Sequence, residues 1–269
     1  YIKSLLLYGD GIGGIMRESG ILMPVSALPS RHGIGKMGQA AYDFIDFLEK
    51  AGQSLWQVLP LGPTGYGDSP YQSASVFAGN PYFIDLEALI EEGILTQKEC
   101  DKADLGTNST EIDYEKLYKN RLPLLKKAFQ NAMPEKNQDF KEFCEAQAHW
   151  LNEYALYMAV KDENDGKSFL EWPDELRFRE KKAIQAAEKR LEKEILFYCF
   201  LQYLFFKQWT ALKGYANAKG IEIVGDIPIY VALDSADTWM HPELFQLDEK
   251  GFPVGVAGCP PDYFSRTGQ

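Results

Sequence analysis

Two short apolar runs with one amphipathic helix between them constrain this chain more than anything else in it. Residues 21–28 (I-L-M-P-V-S-A-L) read as a buried strand, and residues 54–61 (S-L-W-Q-V-L-P-L) as a second. Between them, residues 39–51 place Ala41, Phe44, Ile45, Phe47 and Leu48 on or near one face, and Gly52 stops the helix. Strand, helix, strand in that order gives a parallel pair with a right-handed crossover. A third run, residues 221–229 (I-E-I-V-G-D-I-P-I), returns after more than a hundred residues of mostly helical pattern.

That helical stretch predicts helices over 114–132, 137–161 and 177–218, with breaks at Met133–Pro134, Asp165–Gly166 and Trp172–Pro173. Within it, residues 191–212 are apolar almost all round, so this helix is buried on several sides and its rings are core. Charged runs at 175–179 and 188–194 read as solvated faces. Before it, residues 82–92 read as a short helix ending at Gly93, and Thr96 opens a capping box with Glu99. The chain divides into a leading stretch 1–15, a strand-and-loop unit 16–95, a helical insertion 96–218 and a last strand with its loop, 219–269.

The polar loops sit where strands end. After the second run comes G-P-T-G-Y-G-D-S-P-Y-Q-S, stiffened by Pro60, Pro63 and Pro70 and loosened at Gly62, Gly65 and Gly67. It carries Tyr66, Ser69 and Tyr71, rings for stacking and oxygens for hydrogen bonds, as a sugar site requires; the alternative is a long surface turn. Asp68 reads as a residue that holds the loop. Asp226 follows I-E-I-V-G within the third run and is either a site carboxylate or a cap on the turn at Ile227–Pro228. Asp234 is a candidate N-cap for D-S-A-D-T-W, and Asp237 a helix-start residue. His32 follows the first strand and either reaches the cleft or makes a structural hydrogen bond; His149 and His241 have no partners that suggest catalysis or metal. Loops at the C-terminal ends of parallel strands are the habit of (β/α)8 barrels. Three strands cannot close one, so the fold class is α/β: an incomplete (β/α)8 barrel with a large helical insertion between strands two and three, or an open sheet.

Charge and cysteines exclude several function classes. The net charge of −11 argues against nucleic acid or an anionic membrane as partner. The four cysteines, Cys100, Cys144, Cys199 and Cys259, are far apart and form no C-x-x-C pair, which fits a reducing compartment. No run reaches the ~18 apolar residues of a membrane helix. Gly9, Gly11 and Gly14 match a dinucleotide fingerprint, but Gly20 and Pro24 interrupt the helix it needs, and no acid lies between Glu18 and Asp43. Met16 reads as the start of the natural protein and residues 1–15 as an extension; their apolar run is too short for a signal peptide.

Taken together, S-A-L-P-S-R-H-G-I-G, Q-V-L-P-L-G-P-T-G-Y-G-D-S-P-Y-Q-S, F-A-G-N-P-Y, G-D-I-P-I-Y-V, D-S-A-D-T-W and C-P-P-D-Y-F-S-R-T-G-Q resemble the 4-α-glucanotransferases, also called amylomaltases or disproportionating enzymes. The likeness runs from about Glu18 to Gln269. It implies a cytoplasmic enzyme on a (β/α)8 barrel, acting on maltooligosaccharides, amylose or other α-1,4-glucans without metal or organic cofactor. It implies retaining transfer, in which one carboxylate attacks the anomeric carbon, a second protonates the leaving oxygen and a sugar hydroxyl takes the glucosyl group. By resemblance, Ser69 and Tyr71 line the glucan cleft, Tyr66 belongs to a second glucan site, and Asp226 contacts the sugar beside the scissile bond. Asp262, Tyr263 and Phe264 match a mobile loop that shapes acceptor binding. The nucleophile and acid/base match nothing up to Gln269, so the chain is expected to be an inactive front portion, with apolar sheet edges that aggregate. A non-catalytic glucan-binding module and an α-glucan hydrolase are the alternatives.

Overall fold

The computed structural model describes residues 17–65, 67–106, 108, 110–255, 258–263 and 265–267. Among them, β1 (Gly20–Leu22), β2 (Leu55–Gln57) and β3 (Glu222–Val224) form one parallel sheet in the order β1-β2-β3. Ile21, Trp56 and Ile223 stand in one register row. The first crossover is α1 (Gln39–Lys50), which buries Ala41, Ile45 and Leu48 at helical spacing and ends at Gly52, φ +67°. Phe44 meets the fully buried Trp56 edge-on at 5.2 Å, whereas Phe47, three residues on, is exposed.

Each strand is shorter than its apolar run, and in the first two proline gives the reason. The first run pairs as far as Met23, whose N–H donates to Gln57 O at 2.9 Å; Pro24 has no N–H to continue, and Val25–Ala27 winds into a 3-10 turn. The second run donates once more from Val58 N to Val224 O, 3.0 Å, before Pro60 turns it away. The third pairs only over Glu222–Val224; Pro228 lies further on, and Ile227, Ile229 and Tyr230 are exposed.

The helical block departs from expectation at its breaks. Residues 82–92 divide into a 3-10 turn, Pro81–Phe83, and α2 (Leu86–Glu91), because the Asp85 carboxylate accepts from Ala88 N at 3.1 Å and starts a new helix there. α3 (Gln97–Lys102) opens with the expected capping box: Thr96 N donates to Glu99 and Glu99 N to the Thr96 hydroxyl. α4 (Tyr114–Ala132) has the expected bounds, closed by left-handed Met133, φ 44°, and Pro134. Instead of one helix over 137–161 there are two, α5 (Gln138–Ala146) and α6 (Leu151–Glu163), parted by a turn that Gln147 pins by accepting from the Trp150 indole at 2.8 Å. Residues 177–218 likewise divide, into α8 (Lys181–Arg190) and α9 (Glu192–Ala218), preceded by α7 (Asp174–Arg177). The first break is at Arg179, φ 56°. Its charge is not simply solvated: Arg179 donates to Met240 O, as Arg177 does to Lys250 O, tying this turn to the C-terminal loops.

α9 is the axis of the block, packed against α1, α4, α5, α6, α8 and β3. Phe197, Phe200, Leu201, Leu204 and Phe205 are buried on it, each worth about 1.5–3 kcal/mol relative to exposure. Its neighbours supply rings: Phe129 and Phe140 lie 5.6 and 6.5 Å from Phe200. After β3, α10 (Ala236–Met240) is capped by Ser235, whose hydroxyl accepts from Thr238 N at 3.2 Å, and not by Asp234 as the sequence suggested. No described helix is long and apolar enough to cross a membrane.

Candidate functional site

The loop after β2 folds back on itself. Thr64 and Ser73 form an antiparallel bridge, and the bend between them holds Gly67 at φ 90° and Asp68 at φ 54°. Ser69 shapes the return: its hydroxyl accepts from Tyr71 N at 3.3 Å and its carbonyl from Gln72 N at 3.1 Å. That turn aims the Tyr71 ring at the end of β3, where its phenol donates to Asp226 Oδ2 at 2.6 Å. Asp226 Oδ1 accepts from Ile227 N at 2.8 Å, so this carboxylate both caps the turn and faces the cleft loop. The hydrogen bond to Asp226 raises the Tyr71 phenol above its ordinary pKa. The Tyr71 ring stays 46% exposed. Beside the pair, Val58, Leu61, Trp209, Lys213 and Asp226 line a cavity of about 290 Å³.

Ser69, Tyr71 and Asp226 therefore come together. Tyr66 and Phe264 lie outside the described residues, as do Gly9, Gly11 and Gly14. Asp262 closes a turn, accepting from Ser265 N at 2.7 Å and donating its own N–H to Ser265 O at 2.9 Å; Tyr263 is 97% exposed. Asp68 stands in the bend of this loop at φ 54°, and burial raises its carboxyl.

Two contacts zip the β2 loop to the β3 loop beyond the Tyr71–Asp226 pair. Ala236 N donates to Ala74 O at 2.8 Å, and Val76 N to Asp237 Oδ2 at 3.0 Å. Asp234 fastens the β3 loop to the helical block: it accepts from the Tyr157 phenol (2.6 Å), Lys161 Nζ (2.5 Å) and Phe169 N (3.2 Å).

The β2 loop is fastened by side chains the sequence reading passed over. Fully buried Gln202 accepts from Gly79 N at 2.7 Å and donates to Gly79 O at 2.9 Å. Two turns on, Gln208 does the same for Asp85, at 2.7 and 3.2 Å. Buried Arg121 donates to Ile84 O at 2.5 Å. An amide inside an otherwise apolar helix must find a partner, and that was the available signal. Gly79 is required here, because a Cβ would sit 2.1 Å from the Phe205 ring.

His32 makes a structural contact. It is buried and accepts from Lys36 Nζ at 2.9 Å, and Lys36 also pairs with Asp85 Oδ1 at 2.9 Å and with Glu87. Burial, then the Lys36 and Arg121 charges, lower its pKa to about 4. His241 pairs with Glu153 and Glu243, and His149 stands edge-on to Phe77. Among the described residues no group of three His, Cys, Asp or Glu could hold a metal ion, and all four cysteines are free thiols.

This arrangement has relatives. A 4-alpha-glucanotransferase family model matches residues 23–269. The 4-alpha-glucanotransferase of Thermus thermophilus is 51% identical over 257 residues, 94% of this chain and 50% of that protein. That of Streptococcus pneumoniae serotype 4 is 48% identical over 255 residues, again 94% and 50%. The structure of amylomaltase from Streptococcus agalactiae in complex with acarbose superposes with a TM-score of 0.91 at 41% identity, covering 94% of this chain and 52% of that one. The three parallel strands and helical block match part of that enzyme's barrel fold. The chain spans about half the length of these relatives. It belongs to the 4-alpha-glucanotransferase family.

Proposed function

We propose that the protein moves α-1,4-glucan segments between maltooligosaccharides or amylose chains as a 4-α-glucanotransferase, and that Ser69, Tyr71 and Asp226 form the donor wall of its cleft. The observation that carries the reading is the 2.6 Å bond from Tyr71 to Asp226, which joins the loops after two adjacent parallel strands at their C-terminal ends. A carboxylate with spare lone pairs beside a half-exposed ring suits a pyranose: the oxygens take sugar hydroxyls and the ring takes the C–H face. Family membership and the acarbose-bound amylomaltase support the same substrate class.

Retaining transfer needs a nucleophilic carboxylate and a carboxylic acid ~5–5.5 Å apart. We assign both to the half of the relatives' length that this chain does not span, and give Asp226 the task of positioning the sugar. Tyr66 is proposed for a second glucan site, and Asp262, Tyr263 and Phe264 for a loop that covers the acceptor and excludes water. Residues 96–218 act as the insertion that braces the donor wall of units 16–95 and 219–269. The free cysteines fit a cytoplasmic setting.

Maltotriose tests the reading. Incubated with the protein as its organism makes it, maltotriose should yield longer oligosaccharides and glucose. Reducing ends appearing at the rate of donor loss would make it a hydrolase. Saturable glucan binding without any product would make it a binding module. Residues 1–269 alone are expected to give no product.

A further inference from the structure

Phe77 holds an apolar ring in solvent on a backbone that cannot withdraw it. The ring is 52% exposed. Its neighbours are fixed: Val76 N donates to Asp237, Phe77 N and Ala78 N to the Ser75 hydroxyl (3.1 and 3.3 Å), and Gly79 is clamped by Gln202. Behind it, Trp150 lies nearly parallel, 20° between planes and 6.0 Å between centroids, and Trp150 is held by Gln147. His149 flanks it edge-on at 6.0 Å and is exposed. Such a ring is backed on one side and presented on the other.

Its place along the wall is defined by the zipper between the two loops. Tyr71–Asp226 comes first, then Ala74–Ala236, then Val76–Asp237, with Phe77 next. We propose that Phe77 is an outer stacking platform for one pyranose ring of an α-1,4-glucan, further along the wall that begins at Tyr71 and Asp226; this rests on the glucan-cleft reading. The C–H face of a pyranose is apolar, and an aromatic face attracts its hydrogens. A preformed ring loses little entropy on binding, so it adds affinity where the chain is long enough to reach it. The exposed imidazole of His149 offers a hydrogen bond to a hydroxyl at the ring's edge. A ring that only covered Trp150 would serve every substrate equally; a platform serves long chains.

The test is calorimetric titration of the native protein with maltoheptaose and with maltotriose, for wild type, Phe77→Ala, Phe77→Leu and Phe77→Trp. Phe77→Leu keeps an apolar cover on Trp150 but has no aromatic face. Alanine and leucine should each weaken maltoheptaose about tenfold and leave maltotriose within about twofold, and tryptophan should restore the wild-type ratio. Equal loss for both glucans, or no loss for either, overturns the platform while leaving the cleft reading in place. Wild-type protein that binds neither glucan overturns the cleft reading and the platform with it.

Discussion

Gln202→Leu isolates how the helical block holds the cleft loop. Leucine keeps the volume and removes both hydrogen bonds to Gly79, at 2.7 and 2.9 Å. Gln202 is fully buried, and Gly79 is buried against Phe205, so water has no route to the abandoned groups. A buried N–H and a buried C=O left without partners cost about 1–3 kcal/mol each. Better apolar burial of leucine returns about 1 kcal/mol, leaving a net loss of about 3 kcal/mol. Urea unfolding reads the loss, and hydrogen exchange at the Gly79 amide reads its location. A loss under about 1 kcal/mol with Gly79 protection unchanged would refute the argument, because the clamp would then hold nothing. Gln202→Glu adds a sign. Its carboxylate would face Gly79 O without a donor, so burial and repulsion raise its folded pKa above the unfolded value. Stability is then greatest at pH below the unfolded pKa and falls as pH rises through the folded one.

Tyr71→Ala should abolish or strongly weaken glucan binding while moving Tm by no more than about 2 °C, since a half-exposed loop ring carries little core packing; a large fall in Tm with normal binding would count against its site role. His32 makes the fold acid-sensitive. Its folded pKa, about 4, lies below the ordinary 6.5, so the unfolded chain binds the proton first and stability present above pH 6.5 is lost as pH falls toward 4. The full effect is about 3 kcal/mol from a 2.5-unit difference, and His32→Asn, which keeps an acceptor for Lys36, should flatten that part of the stability–pH curve. Asp234→Ala strands the Tyr157 phenol and Phe169 N and should cost about 2 kcal/mol by urea unfolding, with weaker glucan binding because the β3 loop loses its anchor to α6.

The division of labour between loops and insertion explains how Tyr71 and Asp226 are held together. Tyr71 and Asp226 come from loops after different strands, and loops alone would wander. Here both are fastened to one helical block: the β2 loop to Gln202 and Gln208 on α9, and the β3 loop to Tyr157 and Lys161 on α6. α6 and α9 pack against each other, so the two anchors share one rigid body.

By itself the sequence determined what depends on local chemistry and motif. Apolar runs broken by proline and glycine marked the β-α-β unit, Thr96 and Glu99 their capping box, and Met133–Pro134 the end of α4. Its motifs also identified the family. What it could not carry were the choices made by distant partners. How much of the first two runs pairs depended on Pro24 and Pro60 meeting a ladder, not on hydrophobicity. Asp234 left the cap to Ser235 because Tyr157, Lys161 and Phe169 N, 65–77 residues earlier, offered it three donors. Gln202 and Gln208 have no local partners in their apolar helix, and only the fold sets Gly79 and Asp85 opposite them. The bond from Tyr71 to Asp226 spans 155 residues, and only the parallel sheet, by placing β2 beside β3, brings the phenol to the carboxylate.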